Sequence, residues 1–127
     1  MFYAVLDVST REMCYANAGA VPYPLLVDAQ GARHLETRST PAGLFEASKY
    51  QNQTLSLPGR FRLLLCSDGV LEVLPEASND ARLQRLAGCV TLDTLNLEAI
   101  RECLQISLTA QLPDDLTMLM LKCDEAI

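Results

Sequence analysis

At 127 residues the chain has room for one domain or a large piece of one, and with half of its residues hydrophobic it can bury a core. Its apolar runs are short and broken by charge, Gly or Pro, which excludes a disordered polymer and a membrane-spanning segment. A formal net charge of −6 with scattered basic residues argues against a nucleic-acid backbone as partner, and fits solubility, cations or basic partners.

Phe2 to Val8 reads as a strand with apolar residues on both faces, suited to a sheet covered on both sides. Domains seldom open on such a strand, which points to Met1 as an internal or engineered start. No basic stretch precedes an apolar block of suitable length, so no signal peptide is expected. Ser9-Thr10-Arg11-Glu12 is a polar turn and Met13 to Ala16 a second short strand, together a hairpin. After Asn17-Ala18-Gly19, the prolines of Val21-Pro22-Tyr23-Pro24 exclude a helix and limit sheet pairing. Tyr23 to Val27 resumes strand character, Asp28-Ala29-Gln30-Gly31 is a turn, and His34 to Arg38 reads as a polar edge strand. Ser39 to Leu44 is a loop expected to tuck Leu44 and Phe45 toward the core. Tyr50 to Leu57 alternates too weakly for a central strand and is expected at an edge.

Leu57-Pro58-Gly59 turns the chain into Phe61-Arg62-Leu63-Leu64-Leu65-Cys66-Ser67-Asp68-Gly69-Val70. This is a buried-strand pattern that ends abruptly in an acid and a glycine. Asp68 at such a rim is either a turn-former or a ligand, and Gly69 permits a sharp turn or a close backbone approach behind it. Val70 to Leu74 is short, apolar and interrupted by Pro75. Ser78-Asn79-Asp80 offers helix N-caps, Leu83, Leu86 and Ala87 share a helical face, and Gly88 is a plausible stop. A second helix begins near Asn96, with Ile100, Cys103, Leu104, Ser107 and Leu108 as its core stripe and Pro113 preventing continuation. Leu116 to Leu121 is the final strand, with Asp114-Asp115 at its start. Many strands, two helices and a last strand indicate an α+β sandwich with an antiparallel sheet and helices on one face.

The chain has five cysteines, Cys14, Cys66, Cys89, Cys103 and Cys123. The odd count and the lack of CxxC suggest neither a disulfide framework nor a zinc knuckle, and a reducing cytoplasm is the natural compartment. His34, the one histidine, lies in a polar stretch with no evident cysteine partner, so nucleophilic cysteine chemistry is not indicated.

If the strands bearing Asp68 and Asp114-Asp115 are antiparallel neighbours, the acids converge on one rim; if parallel, they sit at opposite ends. Convergent carboxylates repel unless a cation or a shared proton is present, and hard oxygen ligands suit Mg²⁺ or Mn²⁺. Solvated turn acids would produce the same pattern.

Several ordered motifs resemble a known family. They are Tyr3-Ala4-Val5-Leu6-Asp7; Tyr15-Ala16-Asn17-Ala18-Gly19 with Pro22 and Pro24-Leu25-Leu26; Pro41-Ala42-Gly43-Leu44; Leu57-Pro58-Gly59 with Leu63 to Val70; and Asp114-Asp115-Leu116-Thr117. From residue 2 to about 122 the set resembles the SpoIIE-type branch of the metal-dependent serine/threonine phosphatases, the protein phosphatase 2C-like or PPM superfamily. The resemblance implies a mainly antiparallel β-sandwich flanked by helices, the α/β/β/α four-layer sandwich. It also implies a two-metal Mn²⁺ or Mg²⁺ centre and hydrolysis of phosphoserine or phosphothreonine by a metal-activated water, without a covalent enzyme intermediate. The metal-site positions it carries over are Asp68, Gly69, Asp114 and Asp115, with Asp114 the preferred late ligand and Asp115 the fallback.

Two departures are evident. Ala20 stands where the family usually has histidine, and the N-terminal part of the family domain, with its Gly-Asp and Asp-Val-Ser-Gly motifs, is missing. Asp7-Val8-Ser9 mimics the latter, but no glycine follows and its place matches a later strand, so Asp7 is assigned to a strand end. Residues 1–127 are thus expected to be a single domain, the C-terminal portion of a phosphatase domain, inactive alone. The expected partners are a phosphorylated regulatory protein, such as an anti-sigma-factor antagonist, and a second copy or partner domain covering an exposed sheet. Nucleic acid and membrane are not expected partners. The alternative is a degenerate phosphatase fold acting as a non-catalytic binding or output module.

Overall fold

A computed structural model describes residues 1–107, 111–112 and 115–125. In it the strands stack as two antiparallel sheets. β1 (Phe2–Asp7), β2 (Glu12–Asn17) and β5 (Gln53–Ser56) form the smaller, in the order β1-β2-β5. β3 (Leu25–Asp28), β4 (Gly31–His34), β6 (Arg60–Cys66) and β7 (Met118–Asp124) form the larger, in the order β4-β3-β6-β7. Between the sheets Met13, Leu26, Phe61 and Leu63 are buried, with Leu6, Tyr15 and Leu55 packed against them. These positions alternate along their strands, as a half-buried pleat requires.

The other face of the larger sheet carries the helices α1 (Gly69–Glu72), α2 (Asn79–Gly88) and α3 (Leu97–Cys103). Leu25, Val27 and Leu64 meet Val70, Leu74, Leu86 and Ile100 there. α2 and α3, of ten and seven residues, are too short to persist alone in water. Burial of Leu86 and Ile100, worth about 1.5–3 kcal/mol each, holds them to the sheet. Their starts are set locally: Ser78 Oγ accepts from the Ala81 amide at 3.1 Å, and Asn96 Oδ1 from the Ala99 amide at 3.0 Å. The described residues thus form β/β/α layers. Tyr3 and Val5 on the smaller sheet remain exposed.

Arg62 is the largest fully buried side chain. Its guanidinium donates to the Thr94 carbonyl at 2.8 Å and to the Asp124 carboxylate at 2.8 Å, fastening the α2–α3 connection to β7.

Several expectations are corrected. The edge strand expected over His34 to Arg38 is instead Gly31–His34. His34 Nδ1 lies 3.2 Å from the Tyr23 carbonyl and Nε2 2.9 Å from that of Leu83, so the ring anchors the strand end to α2. Leu44 and Phe45 do not tuck into the core but are 67% and 61% exposed. The apolar stretch after Asp68 forms the one-turn helix α1. α3 stops at Cys103, because Leu104 is its C-cap and Gln105 takes φ +59°. Ser107 is therefore exposed rather than on a core stripe, and Leu108 and Pro113 lie outside the described residues. Finally, Cys89 and Cys103 form a disulfide, with Cα atoms 5.6 Å apart. No sequence spacing signals this pair; the packing of α2 beside α3 creates it.

Candidate metal-binding rim

β6 and β7 are antiparallel neighbours with Cys66 opposite Met118. The chain leaving β6 therefore passes the chain entering β7, and Ser67 clamps the two. Its amide donates to the Thr117 carbonyl at 2.9 Å, its Oγ accepts from the Thr117 amide at 2.9 Å, and its Oγ donates to the Asp115 carbonyl at 3.3 Å. Ser67 sits within the Ser-Asp-Gly motif, but its positioning role depends on Thr117, a partner remote in sequence, and leaves no local signal.

Asp68 follows as the N-cap of α1, with φ −63° and ψ −21°. Its carboxylate makes no capping hydrogen bond, and the residue is exposed. The turn-former reading therefore loses its main support, since a turn acid ordinarily accepts from the amides ahead of it. Gly69 is buried, and a Cβ placed on it would lie 2.1 Å from the Asp115 carbonyl oxygen and 2.9 Å from its carbon. This glycine is required for a close approach of backbones rather than for a special φ. The acid-bearing end of β6 and the Asp115 backbone are thus in contact at one rim.

Asp115 is exposed, while Asp114 lies outside the described residues. The donors offered here are carboxylate and carbonyl oxygens, a set that fits Mg²⁺ or Mn²⁺ rather than a thiophilic ion. Among the described residues no group of three or more His, Cys, Asp or Glu gathers that could hold a metal.

Neighbouring candidates resolve differently. Burial pushes the Cys66 thiol up to about 12, so no thiolate nucleophile stands beside Asp68. Asp7 accepts from the Ser9 hydroxyl at 2.6 Å, the Ser9 amide at 2.9 Å and the Thr10 amide at 3.1 Å. These bonds, the Ser9 hydroxyl foremost, hold its carboxyl below the ordinary carboxylate range. Asp7 caps the β1–β2 turn, as a strand-end acid does.

The Asn17-Ala18-Gly19 and Pro41 motifs come together in space. Buried Asn17 accepts from the Ala20 amide at 2.8 Å and donates to the Ala20 carbonyl at 3.1 Å. Ser39 Oγ donates to the Asn17 carbonyl and accepts from the Gly19 amide. Gly19 has φ +73°, and a Cβ there would lie 2.7 Å from Pro41 Cα. The loop is held by the backbone of residue 20, so alanine in place of histidine leaves its hydrogen bonds intact.

The family model described as Stage II sporulation protein E (SpoIIE) matches residues 1–124. Phosphoserine phosphatase RsbP of Bacillus subtilis is 39% identical over 77 residues, 60% of this chain and 18% of the relative. The phosphatase domain of SpoIIE from Bacillus subtilis, from a manganese-presoaked crystal, superposes with a TM-score of 0.72 at 15% identity, covering 100% of this chain and 57% of that one. The RsbU and RsbW domains of a Mycobacterium tuberculosis protein superpose with a TM-score of 0.71 at 24% identity, covering 99% and 36%. The two structural likenesses, at 15% and 24% identity, establish the fold. In each case the chain spans less than two thirds of the protein it matches.

Proposed function

This chain belongs to the SpoIIE family, and from that membership we propose that it is the C-terminal portion of a metal-dependent protein serine/threonine phosphatase domain. The observation that carries the reading is the contact of Asp115 with Gly69, directly behind the exposed Asp68 carboxylate. Asp68 and the Asp114-Asp115 pair would hold Mn²⁺ or Mg²⁺, with Asp114 the preferred late ligand. When bound, such ions acidify the water that attacks phosphorus and neutralise charge on the phosphoryl oxygens. The chain's own part is positional: Ser67 and Gly69 bring the two acidic segments to one rim. The remaining ligands come from a segment corresponding to the part of the SpoIIE phosphatase domain that this chain does not span. The 127 residues alone are accordingly expected to hydrolyse no phosphoprotein.

The proposed substrate is a phosphoserine- or phosphothreonine-bearing regulatory protein of bacterial signalling, such as an anti-sigma-factor antagonist. The proposed compartment is the cytoplasm. Among the described residues no helix is long and apolar enough to cross a membrane.

Mn²⁺ titration of the chain and its Asp68→Asn variant by calorimetry, beside a phosphoserine-protein assay of the parent protein, tests the reading. The variant is expected to lose Mn²⁺ affinity and, in the parent, Mn²⁺-dependent hydrolysis, with no change in thermal midpoint. A parent protein that binds its partner but never hydrolyses the phosphoester would establish the non-catalytic module instead. Hydrolysis by the isolated 127 residues, abolished by Asp68→Ala, would overturn the incompleteness of the site.

A further inference from the structure

On one side of the sandwich both sheets end in a strand with a neighbour on one edge only. Among the described residues β7 pairs with β6 alone and β1 with β2 alone. The two strands lie one above the other: Arg11 of the β1–β2 turn pairs with Glu125 just past β7, and Leu6, Val8, Leu57, Phe61, Leu121 and Cys123 line one groove between the sheets. At the two ends of β7, the Thr117 carbonyl accepts from the Ser67 amide and the Glu125 amide donates to the Gly59 carbonyl. Odd-numbered residues therefore bond to β6, and Met118, Met120, Lys122 and Asp124 turn their amides and carbonyls to the open edge. Leu119 and Leu121 are 61% and 44% exposed, although they share the inter-sheet face with buried Leu63, the residue opposite Leu121. The chain exposes 7976 Å², whereas a compact monomer of its 13.9 kDa exposes about 6,700 Å². That excess is larger than the about 800 Å² each partner contributes to a standard interface.

We propose that β7 pairs with β7 of a second copy of this chain, antiparallel and centred on Leu121, so that the two larger sheets become one. An apolar edge strand with free backbone groups is a template for another strand, and a twofold axis normal to the sheet lets the same edge serve both copies. Centred on Leu121, Met118 of one copy lies opposite Asp124 of the other, and Met120 opposite Lys122. These are the residues whose backbone groups already face the edge, so they form the hydrogen-bonded pairs. Leu121 meets its own copy and Leu119 meets Cys123 in the closer, non-hydrogen-bonded pairs, which takes both exposed leucines out of solvent. Lys122 selects this register: moving the centre one residue onward sets Lys122 against Lys122, and like charges directly opposed are destabilising. Moving it one residue back leaves Cys123 and Asp124 without partners in the strand. The pairing uses neither Asp68 nor Asp115 and stands apart from the metal reading.

Sedimentation equilibrium of the 127-residue chain, with hydrogen exchange at low and high protein concentration, tests it. The wild-type chain is expected to dimerise with a dissociation constant below about 100 μM. The Met120 and Lys122 amides are expected to exchange at least about tenfold more slowly in the dimer than in the diluted chain. Leu121→Lys and Leu121→Glu each set like charges at the centre and remove the leucine pair, and each should raise the dissociation constant at least about tenfold. Their equimolar mixture places opposite charges there and should associate within about threefold of wild type. Because only folded chains can pair in this way, recovery in the mixture separates repulsion from misfolding. A monomeric wild type, a dimer indifferent to both substitutions, or a mixture that does not recover would overturn the pairing. Protected Met120 and Lys122 amides in a chain that stays monomeric at every concentration would assign the edge to another segment of its own chain and overturn it equally.

Discussion

Gly69→Ala probes the rim most directly. The added methyl carbon would sit 2.1 Å from the Asp115 carbonyl oxygen, with the Asp115 carbon at 2.9 Å and Leu116 Cα at 3.4 Å. All three are backbone atoms, so no side-chain rotation relieves the contact, and one segment must retreat by about 1 Å to restore ordinary packing distances. Overpacking of this kind costs about 1–3 kcal/mol. Alanine's better helix propensity returns at most about 1 kcal/mol, and less at the first position of a one-turn helix. A net loss of about 1–2 kcal/mol is expected, read as a lower urea midpoint with unchanged slope. The retreat also moves the Asp115 segment away from Asp68, so Mn²⁺ affinity should fall about tenfold although every carboxylate remains. An alanine variant with the wild-type urea midpoint and wild-type Mn²⁺ affinity would refute the account of the rim as a backbone-to-backbone contact.

Three further outcomes are expected. Arg62→Met leaves the carbonyl of buried Thr94 without its guanidinium donor and should cost about 2–3 kcal/mol in urea denaturation; an unchanged midpoint would show that the buried cation is dispensable. Gly19→Ala forces a side chain into φ +73° against Pro41 and should destabilise by about 1–3 kcal/mol, again by urea midpoint, with wild-type stability counting against the Asn17–Ser39–Pro41 loop as a rigid unit. The acid limb of stability draws on carboxyls held below their ordinary values, among them Asp124, chiefly by the Arg62 hydrogen bond, and Asp28, where burial pushes upward but the bonds from Arg33 and Gln30 prevail. Their folded forms favour the ionised state, so this stability is complete above the ordinary value and is lost as pH falls below about 4 through the folded values. Urea midpoints from about pH 7 down to about 2.5 should therefore decline at the acid end, less steeply in Asp124→Asn, and a flat profile would remove these pairs from the account.

Much of the architecture is legible in the residues themselves. Alternation along Met13 to Ala16, the apolar run Phe61 to Leu65, and the caps Ser78 and Asn96 all act through neighbours a few residues away, and each element formed close to where those neighbours indicate. The misplaced elements depend on distant partners. The polar strand ends at His34 because a carbonyl of α2 receives its ring. Leu44 and Phe45 remain in solvent because nothing among the described residues covers that loop. α3 ends at Cys103 because Gln105 reverses the backbone, although helical spacing runs on through Ser107.

The same division runs through the site. The ordered motifs by themselves identify the family, and the strand running into Ser67-Asp68-Gly69 by itself places an acid at the rim of a core, since local pattern decides where a buried strand stops. Whether β7 runs antiparallel beside β6 depends on which strands share a sheet, a choice made by contacts between residues about fifty positions apart in sequence. Tertiary structure alone decided that the Asp115 backbone presses on Gly69, that Ser67 is the clamp between the acidic segments, and that Cys89 meets Cys103. Each is a contact between separate elements, and one-dimensional spacing carries no record of which surfaces the buried core brings together.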